Sequence, residues 1–136
     1  GMGPSIGAAI RNHKMIILEY DNEGYMNTGN QLSFSTPLGH RTSTSNVGKA
    51  EVGKQFGHKD VAQIFNGCHI PYIATGCEAY PLDLVKKAAK AQWYANNVGT
   101  AFVKLLITCP LNWKTPDDMG KDIIKAAVDC CFFPLY

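Results

Sequence analysis

Apolar and polar positions come in short blocks along the chain, and the blocks differ in period. Lys14 to Tyr20 (KMIILEY) is a compact apolar run bounded by polar residues, the pattern of a strand buried on both faces, and it ends at Asp21. Ile70 to Thr75 (IPYIAT) and Thr100 to Thr108 (TAFVKLLIT) read as two more strands. Helical spacing fills the intervals. Residues 4–13 (PSIGAAIRNH) carry Pro4 at the start and Ile6, Ala9 and Ile10 at helical spacing, which predicts a short helix or the end of a longer one. Residues 60–66 (DVAQIFN) put Val61, Ile64 and Phe65 on one face, with Asn66-Gly67 as the stop. Pro81 to Tyr94 is the clearest helix: Leu82, Val85, Ala89 and Trp93 share one face, Lys86, Lys87 and Lys90 the other, and Asp83 with Lys87 makes a favourable i,i+4 pair. Thr115-Pro116-Asp117-Asp118 opens a last helix, with an N-cap, a first-turn proline and acids facing the dipole, running to about Cys131. Phe132, Phe133 and Leu135 then look like the start of another apolar element.

Strands separated by helices predict an α/β fold, a three-layer α/β/α sandwich with a mainly parallel sheet and right-handed crossovers. Such sheets bind ligands in loops beyond the carboxyl ends of their strands. The loop after Tyr20 is that place. From Asp21 to Gly57 no periodicity holds, and a structureless stretch of that size inside a compact domain is a binding segment or is disordered. Asp21, Asn22, Glu23, Asn27, Thr28 and Gln31 offer oxygen ligands, while Gly24 and Gly29 let backbone approach a ligand closely. The segment reads as a loop for a cation and a phosphate.

Length and composition narrow the picture. At 136 residues and 46% apolar, the chain is long enough for one domain with a real core and short for two. Thirteen basic against eleven acidic residues leave a formal +2 with no run of like charge, which argues against nucleic acid or anionic membrane as a partner. The charged fraction of 18% lies below the usual figure of about a quarter, a shortage that predicts surface hidden against other subunits, so an oligomer is expected. No apolar stretch approaches the roughly 18 to 20 residues of a membrane span. Gly1-Met2-Gly3-Pro4 has neither the basic nor the apolar region of a leader peptide, and Gly1 reads as a protease scar, leaving residues 2–136 as the single expected domain. The five cysteines (Cys68, Cys77, Cys109, Cys130, Cys131) are odd in number and lack C-x-x-C spacing, so neither a disulfide framework nor a self-contained metal site is expected, and a reducing cytoplasm fits. His13, His40, His58 and His69 share no spacing that suggests a metal site.

Asp21-Asn22-Glu23-Gly24-Tyr25-Met26-Asn27-Thr28-Gly29, directly after a strand, resembles the thiamine diphosphate and magnesium motif of the 2-oxoacid:ferredoxin oxidoreductases, the pyruvate synthase group. The resemblance continues through Thr36-Pro37-Leu38-Gly39, Thr42-Ser43-Thr44-Ser45, Val47-Gly48-Lys49, Ile70-Pro71-Tyr72-Ile73-Ala74-Thr75, Cys109-Pro110 with Trp113, and Phe133-Pro134-Leu135-Tyr136, which is nearly the whole chain. It points to the C-terminal portion of the thiamine diphosphate-binding domain of the beta subunit, or of its counterpart within a fused chain. In that family the enzyme decarboxylates a 2-oxoacid on thiamine diphosphate, passes electrons through iron–sulfur clusters to ferredoxin and forms an acyl-CoA. The resemblance implies a partial thiamine diphosphate-binding fold. It also implies other subunits of the complex, ferredoxin, coenzyme A and a 2-oxoacid as partners, and a chain that is inactive in isolation.

Carried over residue by residue, the resemblance makes the Asn22 side-chain oxygen and the Gly24 carbonyl ligands of magnesium, which in turn holds the diphosphate. It lays Asn27, Thr28 and Gly29 beside the diphosphate and the thiazolium, with Asn27 as the catalytic residue that donates a hydrogen bond to the substrate's charge. The chemistry agrees, because magnesium takes oxygen ligands, few of them from protein. The cofactor itself does the carbanion chemistry. Cys109 aligns with the family cysteine that closes the proximal four-iron, four-sulfur cluster, an iron–sulfur cluster expected in the complete complex only.

The chain departs from the family in lacking Gly-Asp-Gly, whose Asp is the family's first magnesium ligand, and the N-terminal cluster cysteines. It is therefore either part of an enzyme subunit or a non-catalytic remnant that keeps the fold and associates with partners. Taken singly, Asn22, Asn27 and Gly29 also suit a turn after a strand. Residues 42–45 suit a solvated loop, Cys109 a buried thiol at a strand end, and Cys68, Cys77, Cys130 and Cys131 core or interface positions. Gly3-Pro4-Ser5-Ile6-Gly7 only weakly resembles the loop of a nucleotide-binding module, since no strand precedes it.

Overall fold

Three parallel strands make the sheet of the computed structural model, which describes residues 1–136. In chain order the elements are α1 (Met2–Ile10), β1 (Ile16–Asp21), α2 (Val61–Gly67), β2 (Tyr72–Cys77), α3 (Pro81–Asn97), β3 (Ala101–Leu106), α4 (Pro110–Trp113) and α5 (Gly120–Asp129), with a 3-10 turn at Asp117–Met119. The strands lie in the order β1-β3-β2, with Ile16 and Tyr72 both opposite Ala101. Those two orders dictate the layering. From β1 to β2 the chain steps across the sheet past the place of β3, and from β2 to β3 it steps back. Right-handed crossovers in opposite directions put their helices on opposite faces. α3 therefore covers one face while α2, joined by α1 and α5, covers the other, giving the three-layer α/β/α sandwich with a parallel sheet.

β3 is the middle strand, and all six of its residues are buried. Its side chains alternate between the two faces. Ala101, Val103 and Leu105 pack with Leu84, Ala91 and Tyr94 of α3. On the other face Phe102 clusters with Ala9 of α1 and Ala62 and Phe65 of α2, its ring stacked on Phe65 at 4.3 Å. Leu106 clusters with Ile124 and Ala127 of α5 and with Phe133. Burying a side chain of the size of Phe102 or Leu106 contributes about 1.5–3 kcal/mol, so this strand anchors every helical layer. Asn12 fixes its start: Oδ1 accepts from the Thr100 N–H at 3.0 Å and Nδ2 donates to the Val98 carbonyl at 3.3 Å. The approach requires Gly99, because a Cβ there would stand 1.9 Å from Asn12 Oδ1.

Apart from the short α4, which no periodicity predicts, helices and strands fall where expected, with ends shifted by a few residues, but several faces do not. β1 is an edge strand rather than one buried on both faces, and Leu18 and Tyr20 are 52% and 66% exposed. On α3 the stripe of Leu82, Val85, Ala89 and Trp93 points to solvent, while Ala91 and Ala95 with half-buried Leu84 and Tyr94 face the sheet. Alanines let this helix lie close to the sheet, and its large residues stay outside. The Asp83–Lys87 pair forms at 2.6 Å. α2 buries Ala62 and Phe65 and exposes Ile64, with Asp60 as its N-cap accepting from the Gln63 N–H. Thr115 does not cap the last helix; the 3-10 turn intervenes, and α5 ends at Asp129. Residues 132–136 form no further helix or strand. Phe133 joins the core under α5, and Tyr136 runs beside β2. There the Thr75 N–H donates to the Tyr136 carbonyl at 3.0 Å, and Thr75 Oγ1 donates to the Pro134 carbonyl at 2.7 Å and accepts from the Tyr136 N–H at 3.0 Å. Of the free cysteines, Cys77 is a core residue, Cys68 and Cys109 are half-buried, and Cys130 and Cys131 are exposed rather than core. No helix is long and apolar enough to cross a membrane.

Candidate cofactor-binding site

β1 ends at Asp21, whose carboxylate is committed inside the fold. Oδ1 accepts from the Glu23 N–H at 2.9 Å, and Oδ2 lies 2.8 Å from Lys104 Nζ of β3. Burial works against the Lys104 ammonium, but Asp21, with Glu19 and Glu23, outweighs it and raises the pKa. The side-chain contact back to the main chain turns the strand out of the sheet. At the next residue, the Asn22 carbonyl accepts from Asn112 Nδ2 and Trp113 Nε1 of α4, both at 3.2 Å. Its side-chain Oδ1 has only a long contact of 3.4 Å with the Gly24 N–H. The Gly24 carbonyl accepts no hydrogen bond. Gly24 sits tightly, since a Cβ there would meet the Gln31 carbonyl oxygen at 3.2 Å and the end of the Met26 side chain. The turn thus presents two oxygens, Asn22 Oδ1 and Gly24 O, with little or no internal engagement.

Residues 25–31 fold back as a small hairpin, with the Tyr25 N–H donating to Gln31 O at 3.0 Å and the Gln31 N–H to Tyr25 O at 2.9 Å. At its tip the Gly29 N–H donates to Met26 O at 3.1 Å, and Gly29 takes φ +108°, which favours glycine. Asn27, Thr28 and Gly29 are exposed at that tip, and Thr28 is tied to Gln31 by two side-chain hydrogen bonds. The predicted site residues therefore divide: Asn22 and Gly24 form the base, and Asn27, Thr28 and Gly29 the tip. Cys109 comes to the same end of the sheet, three residues past β3 and directly before the helix whose Asn112 and Trp113 hold the Asn22 carbonyl. No group of three or more His, Cys, Asp or Glu side chains converges to hold a metal ion.

The contacts that shape this end escape sequence reasoning, and Glu23, which the sequence offers as an oxygen ligand, is held inside the fold instead. Glu23 is buried, and burial, then the charge of Asp21, pushes its carboxyl up to about 8. Burial likewise raises Glu19. The Glu23 carbonyl accepts from Thr36 Oγ1 at 2.6 Å, and Thr36 Oγ1 accepts from the Ser33 N–H at 3.0 Å. Buried Lys54 donates to the carbonyls of Phe34 and Thr36, and its burial lowers the ammonium pKa. With the bridges Thr42–Ser45 and Val47–Val52, these contacts order the stretch that reads as structureless. Thr42 is buried, so residues 42–45 are more than a solvated loop. Lys104 carries a sequence signal that periodicity leaves unread: a lone charge inside an apolar strand needs a partner, and Asp21 ends the neighbouring strand. Thr36, Lys54 and Asn112 act over separations of 13 to 90 residues, for which no short spacing exists.

A doubly wound α/β domain with uncommitted oxygens on a loop beyond its first strand is a cofactor-binding domain in class. Residues 2–105 match the family described as thiamine pyrophosphate enzyme, C-terminal TPP binding domain, and the chain belongs to that family. It is 43% identical over its whole length to the pyruvate synthase subunit PorB of Pyrococcus horikoshii, of which it covers 40%. It is 38% identical, again over its whole length, to the ketoisovalerate oxidoreductase subunit VorB of the same organism, covering 43%. With PorB of Methanocaldococcus jannaschii it shares 39% identity over 96% of this chain and 43% of that one. The chain therefore spans less than half the length of these oxidoreductase subunits. The solved structure of 2-oxoglutarate:ferredoxin oxidoreductase from Magnetococcus marinus, with 2-oxoglutarate, coenzyme A and succinyl-CoA bound, superposes with a TM-score of 0.73 at 18% identity, covering 91% of this chain and 39% of that one. That likeness is one of fold.

Proposed function

We propose that the chain supplies the magnesium- and diphosphate-binding layer of a 2-oxoacid:ferredoxin oxidoreductase of the pyruvate synthase type. Such an enzyme oxidatively decarboxylates a 2-oxoacid to an acyl-CoA and passes the electrons through iron–sulfur clusters to ferredoxin. The observation that carries this reading is the pair of oxygens, Asn22 Oδ1 and Gly24 O, on a tight turn at the carboxyl end of β1. An all-oxygen donor pair suits magnesium, which takes few protein ligands and completes its shell with phosphate oxygens and water. Thiamine diphosphate, when bound, supplies the electron sink for the substrate carbanion. The chain's own residues hold the turn in shape: Asn112 and Trp113 fix the Asn22 carbonyl, and Asp21 receives the Glu23 N–H. At the hairpin tip, Thr28 and Gly29 run along the diphosphate, and Asn27 donates a hydrogen bond to the charge of the substrate. Cys109 contributes one thiolate to the proximal cluster, whose other ligands come from outside these 136 residues. The partners are the other subunits of the complex, ferredoxin, coenzyme A and the 2-oxoacid, in a reducing cytoplasm that suits five free thiols.

In the complete complex Asn22→Ala should weaken thiamine diphosphate binding by about tenfold or more, through loss of a metal ligand. An unchanged affinity removes Asn22 as a ligand. The chain by itself should bind magnesium and thiamine diphosphate weakly, and tight magnesium-dependent binding in a calorimeter contradicts that. One observation favours a second reading. Asp21, the carboxylate at the turn, is committed to Lys104, so both available oxygens are neutral. A non-catalytic remnant serving assembly would look the same, and it predicts a complex whose turnover is indifferent to Asn22→Ala and Asn27→Ala.

A further inference from the structure

Between the 39–47 segment and the start of α4 lies a cleft of about 810 Å³ whose lining includes none of Asn22, Gly24, Asn27, Thr28 or Gly29. Asn30, His40, Arg41, Asn46, Asn112 and Lys114 line it, and no carboxylate does. The ion pairs of the chain are all elsewhere, so Arg41 and Lys114 stand exposed and unpaired at its rim. Lys114 holds φ +54°, a left-handed conformation uncommon for any residue but glycine. Asn30 Oδ1 is buried without a hydrogen-bond partner. One wall leads back to the turn after β1. Because Asn112 Nδ2 donates to the Asn22 carbonyl, its Oδ1 is the acceptor at 2.8 Å from His40 Nε2. That nitrogen therefore carries the hydrogen, and Nδ1 is the ring atom left over for a ligand.

We propose that this cleft is a second anion site, which takes the phosphate group of a phosphorylated coenzyme or co-substrate between Arg41 and Lys114. The chemistry selects the ligand. A guanidinium pairs with phosphate oxygens two at a time and an ammonium adds a point charge. The volume falls in the range of about 300–1,000 Å³ that encloses a whole organic ligand rather than a bare ion. The amides of Asn30 and Asn46 serve its polar remainder. The choice of candidate molecules rests on the function proposed above, which involves two phosphorylated species, thiamine diphosphate and coenzyme A.

Calorimetric titration of this chain with pyrophosphate, coenzyme A and thiamine diphosphate tests the site. Saturable pyrophosphate binding is expected, and the double variant Arg41→Gln/Lys114→Gln should weaken it by about tenfold or more. Both residues are exposed, and an unchanged thermal midpoint will show that the variant is folded. With EDTA present, so that no magnesium ties pyrophosphate to the turn, Asn22→Ala keeps the carbonyl that Asn112 and Trp113 bind and should leave the affinity within about twofold. Displacement of pyrophosphate by coenzyme A but not by thiamine diphosphate assigns the cleft to the acyl acceptor; the reverse makes it the cofactor's own diphosphate site and overturns the proposal of a second one. Absence of saturable binding by all three probes overturns the proposal, as does binding that the double variant leaves intact. Loss of binding in Asn22→Ala also overturns it, because the phosphate then sits on the turn. Failure of Asn22 as a ligand in the complete complex leaves the cleft result untouched, which separates the two readings.

Discussion

Lys104 sits in the middle of the central strand, opposite Glu19 in register and 2.8 Å from Asp21. Its removal leaves two carboxylates facing the sheet with no cation. Lys104→Met should therefore lower stability by about 3–5 kcal/mol, the usual cost of breaking a buried pair from one side. Urea unfolding measures it, and an unshifted midpoint would show that the pair contributes nothing. The acids beside it predict a pH dependence. Burial raises Glu19 above its ordinary 4.5. As pH climbs past that value the unfolded chain releases its proton before the folded one does, so stability falls with pH until the folded group also ionises. Glu23 acts with the same sign up to about 8. Unfolding in urea with EDTA should show stability declining from about pH 5 to pH 8, and Glu19→Gln/Glu23→Gln should flatten that slope. A rise over the same interval would contradict the assignment. At this scale the sequence was legible where chemistry is local: Asn22 and Gly24 stand out because nine consecutive residues carry the pattern. Lys54, which orders the loop around it, looks like any polar residue until the chain is folded, and the motif that contains Thr36 does not reveal what its hydroxyl holds.

α3 shows what periodicity can and cannot say about an element. The spacing of apolar residues marks a helix correctly, but two apolar stripes run along it, one of large residues and one of alanines with Leu84 and Tyr94. The stripe of small residues meets the sheet, because Ala91 and Ala95 permit close approach to β3. Ala91→Leu should overpack this face and cost about 1–3 kcal/mol, whereas Val85→Lys on the outer face should change stability by less than about 0.5 kcal/mol. Thermal or urea unfolding of the two variants compares the faces directly, and equal effects would mean that the helix is rotated. β1 teaches the same lesson, since a run such as KMIILEY fits a central strand or an edge equally well. Only the order β1-β3-β2, set by connections of tens of residues, decides which it is.

For the molecule as a whole, the outward apolar stripe of α3 and the open side of β1 leave Leu82, Val85, Trp93, Leu18 and Tyr20 exposed together with a formal charge of only +2. Little repulsion opposes association, and exposed apolar patches mark interaction surfaces. Sedimentation should show concentration-dependent association of the chain, reduced by Leu82→Glu/Val85→Glu; a monomer at every concentration would remove this face as an interface. The two edges of the sheet are not equivalent. On β2 the outward N–H of Thr75 is already occupied by Tyr136, while Thr75 Oγ1 clasps Pro134 and Tyr136 on the same side. β1 has no such clasp along its outer margin. The backbone of β1 is open along its outer side, whereas β2 is occupied at Thr75 by main-chain and hydroxyl bonds to residues 134–136. The sheet is thus easier to extend at one edge than at the other.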